Sequence, residues 1–273
     1  MKIADLLNRA KDEAILRTLD LVDDVFRRRD PLTPPRRLMF DGPRDPAIFK
    51  ASGAEFLHYY VDLCGLRPDA HILDVGCGIG RKTIPLLGFL NGDGRYEGMD
   101  VNRVGIDWCT QHIARRHSNF NFQQIDVFNQ RYNPSGSQQP HTYRFPFDDN
   151  SFDFTVLASV FTHMFADGVD NYLSEIARTL RPGGKCLISY FLLTEDSRRQ
   201  IDAGASAVDF PFDRGLYRIQ SEDRREDAVA FPETYERNRY ATHGLEIESI
   251  FYGAWSGLER ALSYQDLVLA RKL

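Results

Sequence analysis

The stretch His71-Ile-Leu-Asp-Val-Gly-Cys-Gly-Ile-Gly-Arg-Lys-Thr83 constrains this chain more than any other. An apolar run of Ile72, Leu73 and Val75 passes into three glycines at alternate positions, Gly76, Gly78 and Gly80, and then into a helical pattern opening at Arg81. Such glycines let the backbone turn sharply out of a buried strand and approach a ligand closely. A dinucleotide fingerprint reads G-x-G-x-x-G and seats a pyrophosphate on bare amides at a helix N-terminus. Here the spacing is G-x-G-x-G, and the carboxylate of Asp74 just ahead of it would repel phosphates. The loop therefore suits a cationic or amine-bearing ligand.

From Ala47 onward, short apolar runs alternate with helical patterns, the mark of a parallel sheet with crossover helices. Strands are expected at residues 71–75, 95–100, 120–125, 152–158, 185–191, 246–252 and 264–270. The last two are joined by a loop too short for a crossover helix, so they should run antiparallel at one edge. The fold class is α/β: a Rossmann-like, mostly parallel seven-stranded sheet with an antiparallel last strand and helices on both faces. Two long insertions, Phe128 to Arg144 and Leu193 to Thr242, are candidates for functional loops. Ahead of the domain, Ile3, Leu7, Ala10 and Ala14, then Ile15, Leu19, Val22 and Phe26, recur at helical spacing. Basic Arg27 to Arg29 and Pro31, Pro34 and Pro35 should stop that helix. The expected organisation is an N-terminal helical extension over 1–46 and a domain over 47–273, with a substrate lid at about 193–242. The helix could pack on its own core or pair with a second copy; Asp5, Asp12, Glu13, Asp20, Asp23 and Asp24 argue against an anionic membrane surface.

Two further acids follow the glycine loop. Asp100 closes the second strand in Gly98-Met99-Asp100, where a carboxylate can accept hydrogen bonds from both ribose hydroxyls; Asp126 closes the third in Gln124-Ile125-Asp126-Val127. Acids at strand ends also cap helices, but three at successive carboxyl ends of parallel strands address one crevice. With these residues in this order, the chain resembles the class I S-adenosylmethionine-dependent methyltransferases, and more narrowly their small-molecule, type 11/25-like branch. The likeness covers roughly residues 47–273. LDVGCGIG resembles the family's first motif, GMD its second and IDV its third; FPFDDNSFDFTVLASVFTHM and ARTLRPGGKCLIS resemble its fourth and fifth strands with their flanks. The resemblance implies S-adenosylmethionine as cofactor and S-adenosylhomocysteine as product. It places Gly76, Cys77, Gly78 and Gly80 around the methionine part, with Asp74 beside them, Asp100 on the ribose and Asp126 at the adenine amine. Val101 and Val127 would lie against the ring, Ala158 at the end of the fourth strand, and Arg81 on the cofactor carboxylate or a surface acid. Phe49, Ser52 and Gly53 stand where the family commonly folds a cap over the cofactor; a plain start of a helix is an equal alternative.

Methyl transfer from a sulfonium is an in-line displacement, so catalysis rests on positioning and desolvation, and a hydroxyl acceptor additionally wants a general base. Phe161-Thr162-His163-Met164 follows the fourth strand at the mouth of the crevice, and His163 is the candidate base, its ordinary pKa near 6.5 allowing proton uptake at cellular pH. The alternative is that His163 only packs at the next helix. His58, His112, His117 and His243 have weaker claims. The acceptor pocket is expected from the second insertion and the last hairpin, with Tyr190, Tyr217, Arg218, Tyr252 and Trp255 as its aromatic and guanidinium groups, and Tyr235 and Arg260 also available; Gln265 and Asp266 read as structural.

Composition sets the remaining limits. The chain has 273 residues, 42% of them hydrophobic, enough for one large core, and a formal charge of -5 that gives no general attraction to nucleic acid. Ala158-Ser159-Val160-Phe161 stands where nucleic-acid methyltransferases often carry N-P-P-Y or D-P-P-Y. Cys64, Cys77, Cys109 and Cys186 lack metal-binding spacing, and no metal cluster is expected. Neither a signal segment nor a membrane span is visible, so the cytoplasm is the expected compartment. The expected activity is methylation of a small molecule, most plausibly at a hydroxyl of a saccharide or secondary metabolite. N-methylation of a small amine, a noncatalytic cofactor- or partner-binding protein, and a homodimer through the N-terminal helix stand beside it.

Overall fold

The computed structural model describes residues 3–273, with side chains from Lys11 onward. The Ile3, Leu7 and Ala10 part of the apolar stripe, and Asp5, thus lie outside the described side chains. Helices are α1 (Ile3–Val25), α2 (Pro46–His58), α3 (Arg103–Cys109), α4 (Ala166–Thr179), α5 (Glu195–Asp202) and α6 (Glu233–Thr242). Strands are β1 (His71–Val75), β2 (Arg95–Asp100), β3 (Phe120–Gln124), β4 (Phe152–Leu157), β5 (Leu180–Tyr190), β6 (Leu192–Leu193), β7 (Phe212–Asp213), β8 (Arg218–Ile219), β9 (Val229–Pro232), β10 (Leu245–Phe251) and β11 (Asp266–Lys272).

Seven strands form one sheet in the order β10-β11-β5-β4-β1-β2-β3. β1 pairs parallel with both β2 and β4, whereas β11 pairs antiparallel with β10 and β5. The expected mostly parallel sheet with a reversed last strand is therefore what the chain builds. Its central strands are buried on both faces, as a parallel sheet requires; Ile72, Leu73 and Val75 of β1 lie at 2% exposure or less. One core layer packs α4, through Val169, Tyr172, Leu173 and Ile176, against β4 and β5. The opposite layer holds Phe49, Tyr60, Ile79, Tyr96 and Trp108. A small second sheet, β6-β9-β8-β7, starts at Leu192 and is otherwise built from the Leu193 to Thr242 insertion.

One expectation changes. After the glycine loop the chain makes turns and a short 3-10 helix at Ile84–Gly88, not the α-helix expected from Arg81; Pro85 at its start removes a helical N–H donor. The N-terminal helix ends at Val25 ahead of the prolines, where Arg27 takes a left-handed φ of 50°. α1 is tied down by polar groups: the buried Asp20 accepts the Arg36 N–H at 2.6 Å and pairs with Arg37 at 2.8 Å, and Asp23 pairs with Arg36 at 2.9 Å. That tether delivers Met39 to the core and the next residues, Phe40 to Pro43, to the carboxyl ends of the sheet.

Candidate active site

A cavity of about 640 Å³ opens at the carboxyl ends of β1, β2 and β4. Ligands bind there in open parallel sheets, where the crossovers diverge. One half is walled by Gly76, Gly78, Asp100, Val101, Ile125 and Val127, the other by Tyr132, Ser159, His163, Met164, Phe165 and Gln265.

In the first half, Gly76, Gly78 and Gly80 hold φ of 81°, 59° and 80°, a region costly to residues with a Cβ. A Cβ on Gly78 would also sit 2.7 Å from an Asp41 carboxylate oxygen, so this glycine permits the approach of the N-terminal segment. Asp100 accepts the Gly78 N–H at 2.8 Å and the Asn102 N–H at 2.7 Å, and burial pushes its carboxyl up to about 6. A carboxylate has roughly four acceptor positions, so Asp100 retains capacity for ligand hydroxyls. Arg81 also lines the cavity, but its guanidinium donates to the Asp41 carbonyl and side chain and lies over Phe49 at 4.8 Å.

Other loop residues stand behind the wall. Asp74 is buried under the loop, accepting the Tyr96 hydroxyl at 2.6 Å, and burial pushes it up to about 6; its charge reaches a ligand only at a distance. The Cys77 thiol is buried and well raised, with its sulfur toward Gly98. Gly80 rests on Cys109 and Ile113. Asp126 is corrected most plainly. Side chains alternate along an extended chain, so Ile125 and Val127 face the cavity while Asp126 points out and accepts from the Ser137 hydroxyl at 2.5 Å. Its carboxyl, held below the usual range by those bonds, braces the first insertion.

In the second half, both insertions meet at His163. Glu226, from the second, offers its carbonyl to His163 Nδ1 at 2.8 Å and its carboxylate to the Gln130 N–H of the first at 2.6 Å. Asn129 donates to the His163 carbonyl at 3.4 Å, and Arg131 pairs with Asp227 at 3.7 Å. A carbonyl oxygen only accepts, so Nδ1 carries the hydrogen and Nε2 is the basic nitrogen. Removal from water lowers the His163 pKa below 6.5, keeping the ring neutral at pH 7.

The five expected acceptor residues do not line the cavity. Tyr190 and Trp255 are fully buried: the Tyr190 hydroxyl meets Tyr240, and Trp255 Nε1 donates to Asp266 at 2.8 Å. Tyr217 stacks behind Phe165 with ring centroids 5.3 Å apart. Arg218 donates to the Pro211 carbonyl, and Tyr252 is 40% exposed with its hydroxyl on Glu233. Sequence reasoning missed Asp41, Tyr132, Glu226 and Gln265. The length of the two insertions was the signal for Tyr132 and Glu226; Asp41 had none, and Gln265 was read as structural.

Residues 73–188 match the model of the family described as Methyltransferase domain. The chain carries a class I S-adenosylmethionine-dependent methyltransferase domain. The sterol 24-C-methyltransferase of Schizosaccharomyces pombe is 26% identical over 148 residues, 54% of this chain and 35% of that protein. A fatty-acid O-methyltransferase of Mycolicibacterium smegmatis is 33% identical over 131 residues, 48% of this chain and 38% of that protein. The match thus spans little more than a third of these relatives. The methyltransferase domain also shares its fold with the 1,6-didemethyltoxoflavin-N1-methyltransferase of Burkholderia thailandensis, solved with S-adenosylhomocysteine. That likeness has a TM-score of 0.52 and 18% identity, covering 84% of this chain and 81% of that one. Among the described residues, no helix is long and apolar enough to cross a membrane and no three His, Cys, Asp or Glu side chains are grouped to hold a metal ion.

Proposed function

We propose that this chain moves a methyl group from S-adenosylmethionine to a small-molecule acceptor, with His163 as general base for a hydroxyl. The observation carrying this reading is that one cavity joins the glycine loop and Asp100 to a neutral histidine whose Nε2 is unprotonated. The cofactor half fits the group in chemistry as well as shape. Val101, Ile125, Val127 and Phe128 offer apolar walls for an adenine ring, Asp100 has acceptor capacity for ribose hydroxyls, and the Asp41 carboxylate over Gly78 suits an ammonium. Arg81, by holding Asp41, would orient that carboxylate.

When bound, S-adenosylmethionine supplies an electrophilic methyl on a sulfonium. The chain's own residues do the rest. Met164, Phe165 and Tyr172 keep water from the acceptor side, His163 Nε2 takes the proton of the attacking hydroxyl, and the Glu226 carbonyl holds the ring through Nδ1. A hydroxyl of a saccharide or secondary metabolite is the acceptor we favour, because this base serves a group of high pKa. The carboxylates of Glu55, Asp167 and Glu226 on the same cavity support a second reading, an amine acceptor. Calorimetric titration of S-adenosylhomocysteine, followed by transfer of labelled methyl to hydroxyl and amine panels, tests both. Absence of binding sinks the cofactor reading, and labelling of amines alone replaces the hydroxyl with nitrogen.

We further infer that α1 pairs with a second copy. Ile15, Leu19 and Phe26 are 57%, 43% and 64% exposed along one stripe, and a monomeric sedimentation coefficient at high concentration would refute this.

A further inference from the structure

At the acceptor end of the cavity, three elements are tied together by one amide. Ser159 follows β4 with a left-handed φ of 63°, a conformation uncommon for a residue with a Cβ and often held by its surroundings at functional sites. Its N–H donates to the Ser189 hydroxyl of β5 at 2.7 Å, and its own hydroxyl donates to Gln265 Oε1 at 2.9 Å. The Ser189 hydroxyl donates to the same oxygen at 2.7 Å. This pattern orients the amide. Ser189 is buried and already accepts from Ser159, so its proton needs an acceptor; with Gln265 turned over, both serine protons would lose theirs.

The amide nitrogen is therefore on the other side, where its one hydrogen-bond contact among the described residues is a long 3.5 Å approach to Thr162 Oγ1, next in sequence to His163. An NH2 group has two hydrogens, and Gln265 is half-buried in the cavity wall. Among the described residues one amide hydrogen is thus left without a protein partner, in the cavity that His163 also lines.

We propose that Gln265 selects the acceptor by donating this hydrogen bond to a second, neutral oxygen close to the atom that is methylated, as in a hydroxyketone. The inference rests on the methyl-transfer reading. A neutral oxygen is specified because the carboxylates of Asp167 and Glu226 line the cavity together with His163, while its cations are engaged elsewhere: Arg131 pairs with Asp227, Arg81 with Asp41, and the Lys82 ammonium lies over Phe56, which packs on α2 beside Glu55. A site built to hydrogen-bond an oxygen discriminates strongly against analogues lacking it, because its polar group is otherwise left unpaired.

The test is ligand-observed NMR on the full chain saturated with S-adenosylhomocysteine, using three probes: 2-hydroxyacetophenone, 2-phenylethanol, which lacks the carbonyl, and mandelate, which has a carboxylate in its place. The hydroxyketone is expected to bind about tenfold more tightly than either other probe. Gln265→Glu keeps an oxygen for both serines and removes the donor; it should abolish that preference while S-adenosylhomocysteine affinity stays within about twofold, and Gln265→Ala should do the same if it folds. Equal binding of all probes, binding of none, preference for mandelate, or a preference surviving in Gln265→Glu overturns the proposal. Failure of S-adenosylhomocysteine to bind the wild-type chain instead sinks the methyl-transfer reading, and this inference falls with it.

Discussion

The two halves of the cavity are built in different ways. The half around the glycine loop comes from consecutive strand ends: Gly76 and Gly78 after β1, Asp100 closing β2, and Ile125 and Val127 just past β3. The half around His163 comes from segments remote in sequence, with Glu226 reaching His163 across 63 residues and Gln265 reaching Ser159 across 106. The first half follows from local backbone geometry and the register of parallel strands. The second depends on two insertions closing on each other through a few directed hydrogen bonds. Strand ends are held by the sheet while loops vary freely, so on the proposed reading a common cofactor falls to the first half and a particular acceptor to the second.

The largest expected effect tests the second half. His163→Ala should lower turnover of a hydroxyl acceptor by about 10²- to 10⁴-fold while leaving S-adenosylhomocysteine affinity unchanged by calorimetry. An equal loss of both would dissolve the distinction between the halves. Because burial lowers the His163 pKa, the basic form persists below pH 6.5. The log of wild-type turnover should therefore stay flat from pH 8 to 6.5 and bend downward only at lower pH, a bend that His163→Ala should lack.

A smaller effect tests the first half. Asp100→Asn puts an amide NH2 opposite either the Gly78 or the Asn102 N–H and should weaken S-adenosylhomocysteine binding about 10- to 100-fold. Trp255→Phe separates a core residue from an acceptor contact. It removes the hydrogen bond to the buried Asp266 carboxylate and should cost about 1–3 kcal/mol in denaturant unfolding, with little change in acceptor KM. The smallest effect sharpens the contrast between acids. Asp126→Asn should change cofactor affinity less than about threefold, since its carboxylate braces Ser137 outside the cavity.

The acids show how far sequence reasoning reached. Asp74, Asp100 and Asp126 looked equivalent at three successive strand ends. One faces the cavity, one lies buried beneath it and one points away, because side-chain direction alternates along extended backbone and a shift of one residue changes the face. The aromatic residues of the second insertion and last hairpin were read as acceptor contacts for their chemistry. Tyr190 and Trp255 went instead into the core, since large rings bury the most area where polar handles find partners, here Tyr240 and Asp266.

The sheet, the reversed last strand, the glycine turn and the class of cofactor they suit were all legible in the order of residues. Strand periodicity, glycine φ and hydrophobic runs act over a few residues and are written in neighbouring positions. Only the folded chain shows that Asp41 lies on Gly78, that the Glu226 carbonyl sets the tautomer of His163, and that Gln265 gathers the Ser159 and Ser189 hydroxyls on its Oε1. Each of those depends on the direction of a side chain or carbonyl across tens to more than a hundred residues, and no local pattern encodes it.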